Sequence, residues 1–225
     1  MTSKKKLYII PTPIGNLNDI TLRSLDALRN SDYILCEDTR VSKRLLSKYE
    51  ISTPLKSYHS FNEHKVLSSH IKSILSGKKI SLISDAGTPS ISDPGFLLIR
   101  EAIRNDIEVD CFPGPTAFIP ALVNSGLPSD KFVFEGFLPV KKGRNKRLKF
   151  LSDEERSIII YESPKRLKKL LNDLIDNFGV ERKASISREL TKIYQENIRG
   201  SLKELYNQIE NKNIKGEIIL VVHGK

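Results

Sequence analysis

Four times between residues 6 and 115 a short apolar run breaks into a polar, turn-rich word and then gives way to a helical pattern. That recurrence restricts this part of the chain to a mostly parallel α/β sheet. The fullest instance begins at Ile80, Ser81, Leu82 and Ile83, which have the length and branching of a buried strand. Twelve residues follow, Ser84 to Gly95, before Phe96, Leu98, Ile99, Ala102 and Ile103 recur at helical spacing. In open α/β sheets ligands collect at the carboxyl ends of strands, where unpaired backbone groups face one crevice. Two carboxylates (Asp85, Asp93), two glycines and two prolines make this loop a shaped pocket wall. The alternative is an ordinary connection with Asp93 as a helix cap.

The other instances supply further strand-end loops. Lys6 to Pro11 runs into Thr12-Pro13-Ile14-Gly15-Asn16, which lacks both the Gly-x-Gly-x-x-Gly of a dinucleotide fold and a Gly-Lys-Ser/Thr phosphate loop. A helix then starts at Asp19 to Thr21, with Leu22, Leu25 and Leu28 on one face. Tyr33 to Cys36 ends in Glu37-Asp38-Thr39-Arg40. These side chains either orient a polar substrate or a proton, or complement the amino terminus of a helix over Val41 to Tyr49. A short strand at Lys56 to His59 and a helix from Asn62 to Ser76 come next; His59 and His64 have no second set of metal ligands nearby, which argues against a zinc site. Glu108 to Phe112 breaks at Pro113-Gly114-Pro115, where Gly114 admits close approach of a ligand and Thr116 opens a helix.

Leu127 to Asp130 separates a second unit, so we expect two domains, residues 1–117 and 118–225. Strands are expected at Phe132 to Phe137, Ser157 to Tyr161, Arg182 to Ser187, Ile193 to Ile198 and Gly216 to Val222, with helices from Pro164 onward and over Ser201 to Ile209. Charge is uneven. The net +10 divides into +3 up to residue 115 (16 basic, 13 acidic) and +7 beyond it (21 basic, 14 acidic). Six basic residues in nine, Lys141, Lys142, Arg144, Lys146, Arg147 and Lys149, have no acid among them, and we read them as phosphate contacts for a polyanion. Cys36 and Cys111 both sit in apolar runs, where buried free thiols are expected. No apolar stretch approaches a membrane span or a secretory leader, so a cytoplasmic protein is expected.

The words Leu7 to Leu17, Cys36 to Arg40, Ser84 to Pro89 and Pro113 to Pro115 lie in one order with Gly126 to Asp130, Phe134 to Pro139, Tyr161-Glu162-Ser163 and Arg188 to Lys192. Together they resemble the tetrapyrrole methylase superfamily, and within it the bacterial 16S ribosomal RNA 2′-O-ribose cytidine methyltransferases. The resemblance implies a two-domain α/β fold with S-adenosylmethionine in a cleft between the domains, a homodimer, and small-subunit ribosomal RNA as partner. It implies cofactor contacts from Asp85, Ala86, Gly87, Thr88 and Pro89, from Thr116 and Ala117, and from Tyr161 and Glu217, with Pro11 and Gly114 beside them. Glu37, Asp38, Glu135 and Glu189 are the candidate proton acceptors, with Arg40 and Arg188 as orienters or phosphate ligands; no metal is required. Many relatives of this kind continue into a helical tail, and RNA contacts from such a tail would fall to residues such as Lys141 to Lys149. Two other readings stay open: a methylase of the same fold acting on a small tetrapyrrole-like molecule, and a noncatalytic RNA-binding module.

Overall fold

The computed structural model describes residues 5–225. Residues 1–4, part of the stretch read above as carrying no leader, lie outside the described residues. The chain forms two compact α/β units that divide between Thr116 and Ala117.

The first unit alternates β1 (Lys6–Ile9), α1 (Leu22–Arg29), β2 (Tyr33–Cys36), α2 (Thr39–Lys48), β3 (Leu55–Ser57), α3 (Glu63–Leu75), β4 (Ile80–Leu82), α4 (Phe96–Arg104) and β5 (Glu108–Cys111). All pairings are parallel, in the order β3-β2-β4-β1-β5. Helices therefore cover both faces, which is why β2 is apolar throughout rather than alternating. Its Tyr33 and Leu35 join the core made with α3 and α4, while Ile34 and Cys36 join the core made with α1 and α2. The segments leaving β1 and β4 head toward opposite edges of the sheet, so the carboxyl ends of these neighbours flank the topological switch point.

The second unit contains α5 (Phe118–Ser125), β6 (Phe132–Phe137), α6 (Arg144–Leu151), β7 (Ser157–Glu162), α7 (Leu167–Phe178), β8 (Lys183–Arg188), β9 (Glu196–Ser201), α8 (Leu202–Ile209) and β10 (Ile218–Val222). Its sheet is mixed, β6-β7-β10-β8-β9, with only β6 and β7 parallel. One face packs Ile158, Ile160, Ile186, Leu220 and Val222 against Leu148, Leu170, Leu174 and Leu205 of α6, α7 and α8.

Several boundaries differ from expectation. Helix α2 starts at Thr39 rather than Val41, because Asp38 caps it by accepting from the Arg40 amide. Leu22 is 81% exposed, so only Leu25 and Leu28 of its helical stripe reach the core. Helix α5 starts at Phe118 after Ala117, not at Thr116. Strand β9 lies at Glu196–Ser201, and Ile193 and Tyr194 stand exposed in the turn before it. Cys36 is buried as expected, but Cys111 is exposed, since β5 is an edge strand paired only with β1. Among the described residues no helix is long and apolar enough to cross a membrane.

Candidate functional site

The carboxyl edge of the first sheet is a tied assembly of loops. Thr12, after β1, and Gly87, after β4, exchange both backbone hydrogen bonds at 2.9 and 2.8 Å. The Thr12 hydroxyl donates to the Ser84 carbonyl at 2.9 Å, and the Ser84 hydroxyl donates to that of Gly87 at 3.0 Å. Gly87 sits at φ +81°, a conformation that favours glycine. The loop after β5 joins through the Thr88 hydroxyl, which donates to the Pro115 carbonyl at 3.2 Å. Gly114 is obligatory there: a Cβ would lie 2.8 Å from that of Pro11. The loop after β2 joins through Asp85, whose Oδ1 accepts the Asp38 amide at 3.1 Å. Pro11, Asp85 to Pro89, Gly114 and Thr116 thus belong to one connected edge, as do Glu37 and Asp38.

The electrostatics of this edge separate its carboxylates. Asp38 is held by Arg40 through its guanidinium (2.6 Å) and its amide (2.8 Å), which pull the carboxyl down to about 2. Arg40 is otherwise exposed, so the pair acts as a helix cap. Glu37, Asp85 and Asp93 have no lysine or arginine in ion-pair reach among the described residues. Burial, then the charge of Asp85, pushes Glu37 above the usual carboxylate range, offset partly by His59. Burial, then the charges of Glu37 and Asp85, pushes Asp93 up to about 6. Asp93 is not the cap of α4; Gly95 occupies that position at φ +139° with no side-chain bond. Three carboxylates without a cation suit a ligand that carries positive charge.

In the second unit Tyr161, Arg188, Glu189 and Glu217 lie at one end of the sheet, whereas Glu135 sits mid-strand in β6. Ile218 opposite Glu162 and Arg188 brings the carboxyl ends of β7 and β8 to the start of β10. Tyr161 is flanked edge-on by Phe134 and Phe137, at 5.2 and 5.5 Å between ring centres. Glu189, at φ +51°, accepts from the Glu217 amide (2.8 Å) and from Lys192 (2.9 Å), and Lys192 also reaches Glu217 at 3.2 Å. Lys192, then the Glu217 amide, hold the Glu189 carboxyl below its usual range, which makes it a poor proton acceptor. Arg188 is occupied by Glu196 at 3.1 Å and by the Lys215 carbonyl at 3.3 Å. Glu135, at the bulge of β6, receives a two-pronged bond from Arg147 at 2.7 and 2.5 Å.

The basic segment is not uniformly unpaired, contrary to expectation. Arg144 is 5% exposed and bonds Asp173 at 2.8 Å and the Pro139 carbonyl at 3.1 Å, so it serves the core rather than a surface. Arg147 pairs with Glu135 and is partly exposed. Lys141, Lys142, Lys146 and Lys149 are exposed. The acids that engage the arginines, Glu135 and Asp173, lie outside the nine-residue window and were invisible to its charge count.

Sequence reasoning also passed over Thr12 and Ser84, the struts between β1 and β4, whose pairing emerges only once those strands are neighbours. Glu162 is buried, with Oε1 accepting from the Ser163 amide and from Arg166.

The family model described as Tetrapyrrole (Corrin/Porphyrin) Methylases matches residues 6–206. A Ribosomal RNA small subunit methyltransferase I from Thermotoga maritima is 47% identical over 220 residues, covering 98% of this chain and 99% of the relative. One of the same name from Halalkalibacterium halodurans is 45% identical, covering 98% of this chain and 76% of its own length. Among solved structures, a diphthine synthase aligns with a TM-score of 0.76 at 13% identity, over 98% of this chain and 90% of its own. A cobalamin biosynthetic enzyme, cobalt precorrin-4 methyltransferase, aligns at 0.73 and 17%, over 97% and 95%. Those two likenesses concern the fold alone.

Proposed function

Because the chain belongs to the ribosomal RNA small subunit methyltransferase I family, within the tetrapyrrole methylases, we propose that it transfers a methyl group from S-adenosylmethionine to the 2′-hydroxyl of a cytidine in small-subunit ribosomal RNA. The observation that carries this reading is the 47% identity to the Thermotoga maritima relative over 99% of that protein's length.

The first unit's edge fits the donor. S-adenosylmethionine bears a sulfonium and an ammonium, and Glu37, Asp85 and Asp93 are carboxylates that lack a cation of their own. Asp85 to Pro89, Pro11, Gly114 and Thr116 are the first-unit residues that would hold it. When bound, the sulfonium supplies an already activated methyl group, so the protein needs to add orientation and removal of a proton. A ribose hydroxyl is a weak nucleophile at neutral pH. Of the four candidate acceptors, Asp38, Glu135 and Glu189 are each held by a cationic side chain. Glu37 is not so held, and its raised affinity for a proton suits it to accept one. We therefore assign it that role, with Arg40 holding Asp38 and the start of α2 in place.

The test is cofactor titration by calorimetry together with mapping of 2′-O-methylation on small ribosomal subunits. Asp85→Ala is expected to abolish S-adenosylmethionine binding. Asp85→Asn keeps an acceptor for the Asp38 amide, and is expected to bind at least tenfold more weakly if the charge matters. Unchanged affinity in both variants overturns the assignment of this loop. Absence of methyl transfer to ribosomal subunits by the unaltered protein overturns the reaction.

A further inference from the structure

Helix α6 sorts its residues by function. Arg144, Leu148 and Leu151 point into the core, which at helical spacing leaves Asn145, Lys146, Lys149 and Phe150 on the opposite face. Phe150 is 64% exposed, although it stands one position from the buried Leu151. It is adjacent to Lys146 at i−4, and the Arg147 guanidinium lies over its ring at 5.0 Å from the centre. Arg147 does not wander, because Glu135 grips it through both carboxylate oxygens. Glu135 is itself nearly buried in the β6 bulge. A bulge carboxylate thus fixes a guanidinium, and the guanidinium backs one exposed aromatic ring. Lys146, like Lys141 and Lys142 in the preceding turn, has no carboxylate partner among the described residues.

A lone exposed apolar side chain needs no explanation. A ring backed by an immobilised cation, with the unpaired Lys146 one turn away and two more lysines in the turn before the helix, has a specific complement: a planar, electron-rich group attached to a polyanionic backbone. We propose that this face of α6 is a stacking station for an unpaired base of single-stranded RNA, with Phe150 as the platform and Arg147 as its fixed neighbour. Lysines track the phosphates, while the ring requires a base that is free of its helix, so paired RNA does not satisfy the site. The inference rests on the reading of RNA as substrate and goes beyond it by naming the form of RNA and the residue that selects it.

The experiment measures binding of the full chain to a fluorescein-labelled single-stranded RNA 12-mer and to a blunt RNA duplex of equal length, across salt concentrations. Phe150→Ala is expected to weaken single-strand binding about tenfold, with the salt dependence unchanged, and to leave duplex binding as it was. Phe150→Trp is expected to retain the affinity. Equal loss on both RNAs, or no loss on either, overturns the station. So does a change in sedimentation of Phe150→Ala with unaltered RNA affinity, which would make the face a contact between copies of the chain. If the unaltered protein methylates ribosomal subunits but Phe150→Ala binds RNA normally, only the station fails. If the unaltered protein binds no RNA and methylates none, the broader reading falls first.

Discussion

At the scale of single residues, similar carboxylates are made different by what surrounds them. Asp38 and Glu189 are each held by a neighbouring cation and their basicity falls. Glu37 has burial and the Asp85 charge acting in the other direction, with His59 the only opposing group. An acceptor works in its ionised form, so a raised pKa delays activity: the rate is expected to climb with pH through a midpoint above the ordinary glutamate value of about 4.3. At saturating S-adenosylmethionine, Glu37→Gln is expected to lower kcat by about 10²–10⁴ and to remove that acid limb. Single-turnover methyl transfer across pH checks this. A variant that keeps both the limb and the rate excludes Glu37 as the acceptor.

At the scale of elements, the turn from β8 to β9 meets the start of β10 through the Glu189 and Lys192 side chains. Glu189 takes a left-handed backbone conformation and lays its carboxylate over Gly216 and Glu217, and a Cβ on Gly216 would collide with it. Gly216 is also at φ +94°, so Gly216→Ala combines backbone strain with eviction of Glu189. The expected cost is about 2–4 kcal/mol, read as a shift in the denaturation midpoint; an unshifted midpoint would show that the lock is dispensable. This lock illustrates what the sequence could not disclose. The strand patterns of Tyr33 to Cys36, Phe132 to Phe137 and Ser157 to Tyr161 were legible, because burial on one or both faces writes itself into local composition. The loops were legible as sites because turn residues cluster after those runs. The partners of the carboxylates were open to sequence only where they are local, as Arg40 is to Asp38 and Lys192 to Glu189; Arg147 on Glu135 and the Asp85 charge felt by Glu37 are assigned by topology rather than by spacing. Arg144 was misread for the same reason, its acid lying 29 positions away in α7.

At the scale of the molecule, a basic surface has two separable consequences. A net charge of +10 attracts any polyanion, whereas a local set of uncompensated lysines fixes where the backbone runs. The distinction can be made at constant net charge. Replacing Lys141, Lys142 and Lys146 by Ala brings the formal charge from +10 to +7, and so does replacing Lys65, Lys72 and Lys78 on and after α3. If overall charge governs binding, both triple variants lose RNA affinity alike. If the second unit's lysines contact phosphates, the first triple lowers the slope of log K against log salt by about 2, at roughly 0.7 for each single-strand contact, and the second leaves it nearly unchanged. We expect the latter, because Lys141, Lys142 and Lys146 are exposed and lack carboxylate partners, and Lys146 lies one turn from Phe150, whereas Lys72 lies in the last turn of a helix in the unit that carries the smaller share of the excess charge. Measuring the slope, rather than one affinity, matters: a stacking defect shifts the line and a lost phosphate contact tilts it.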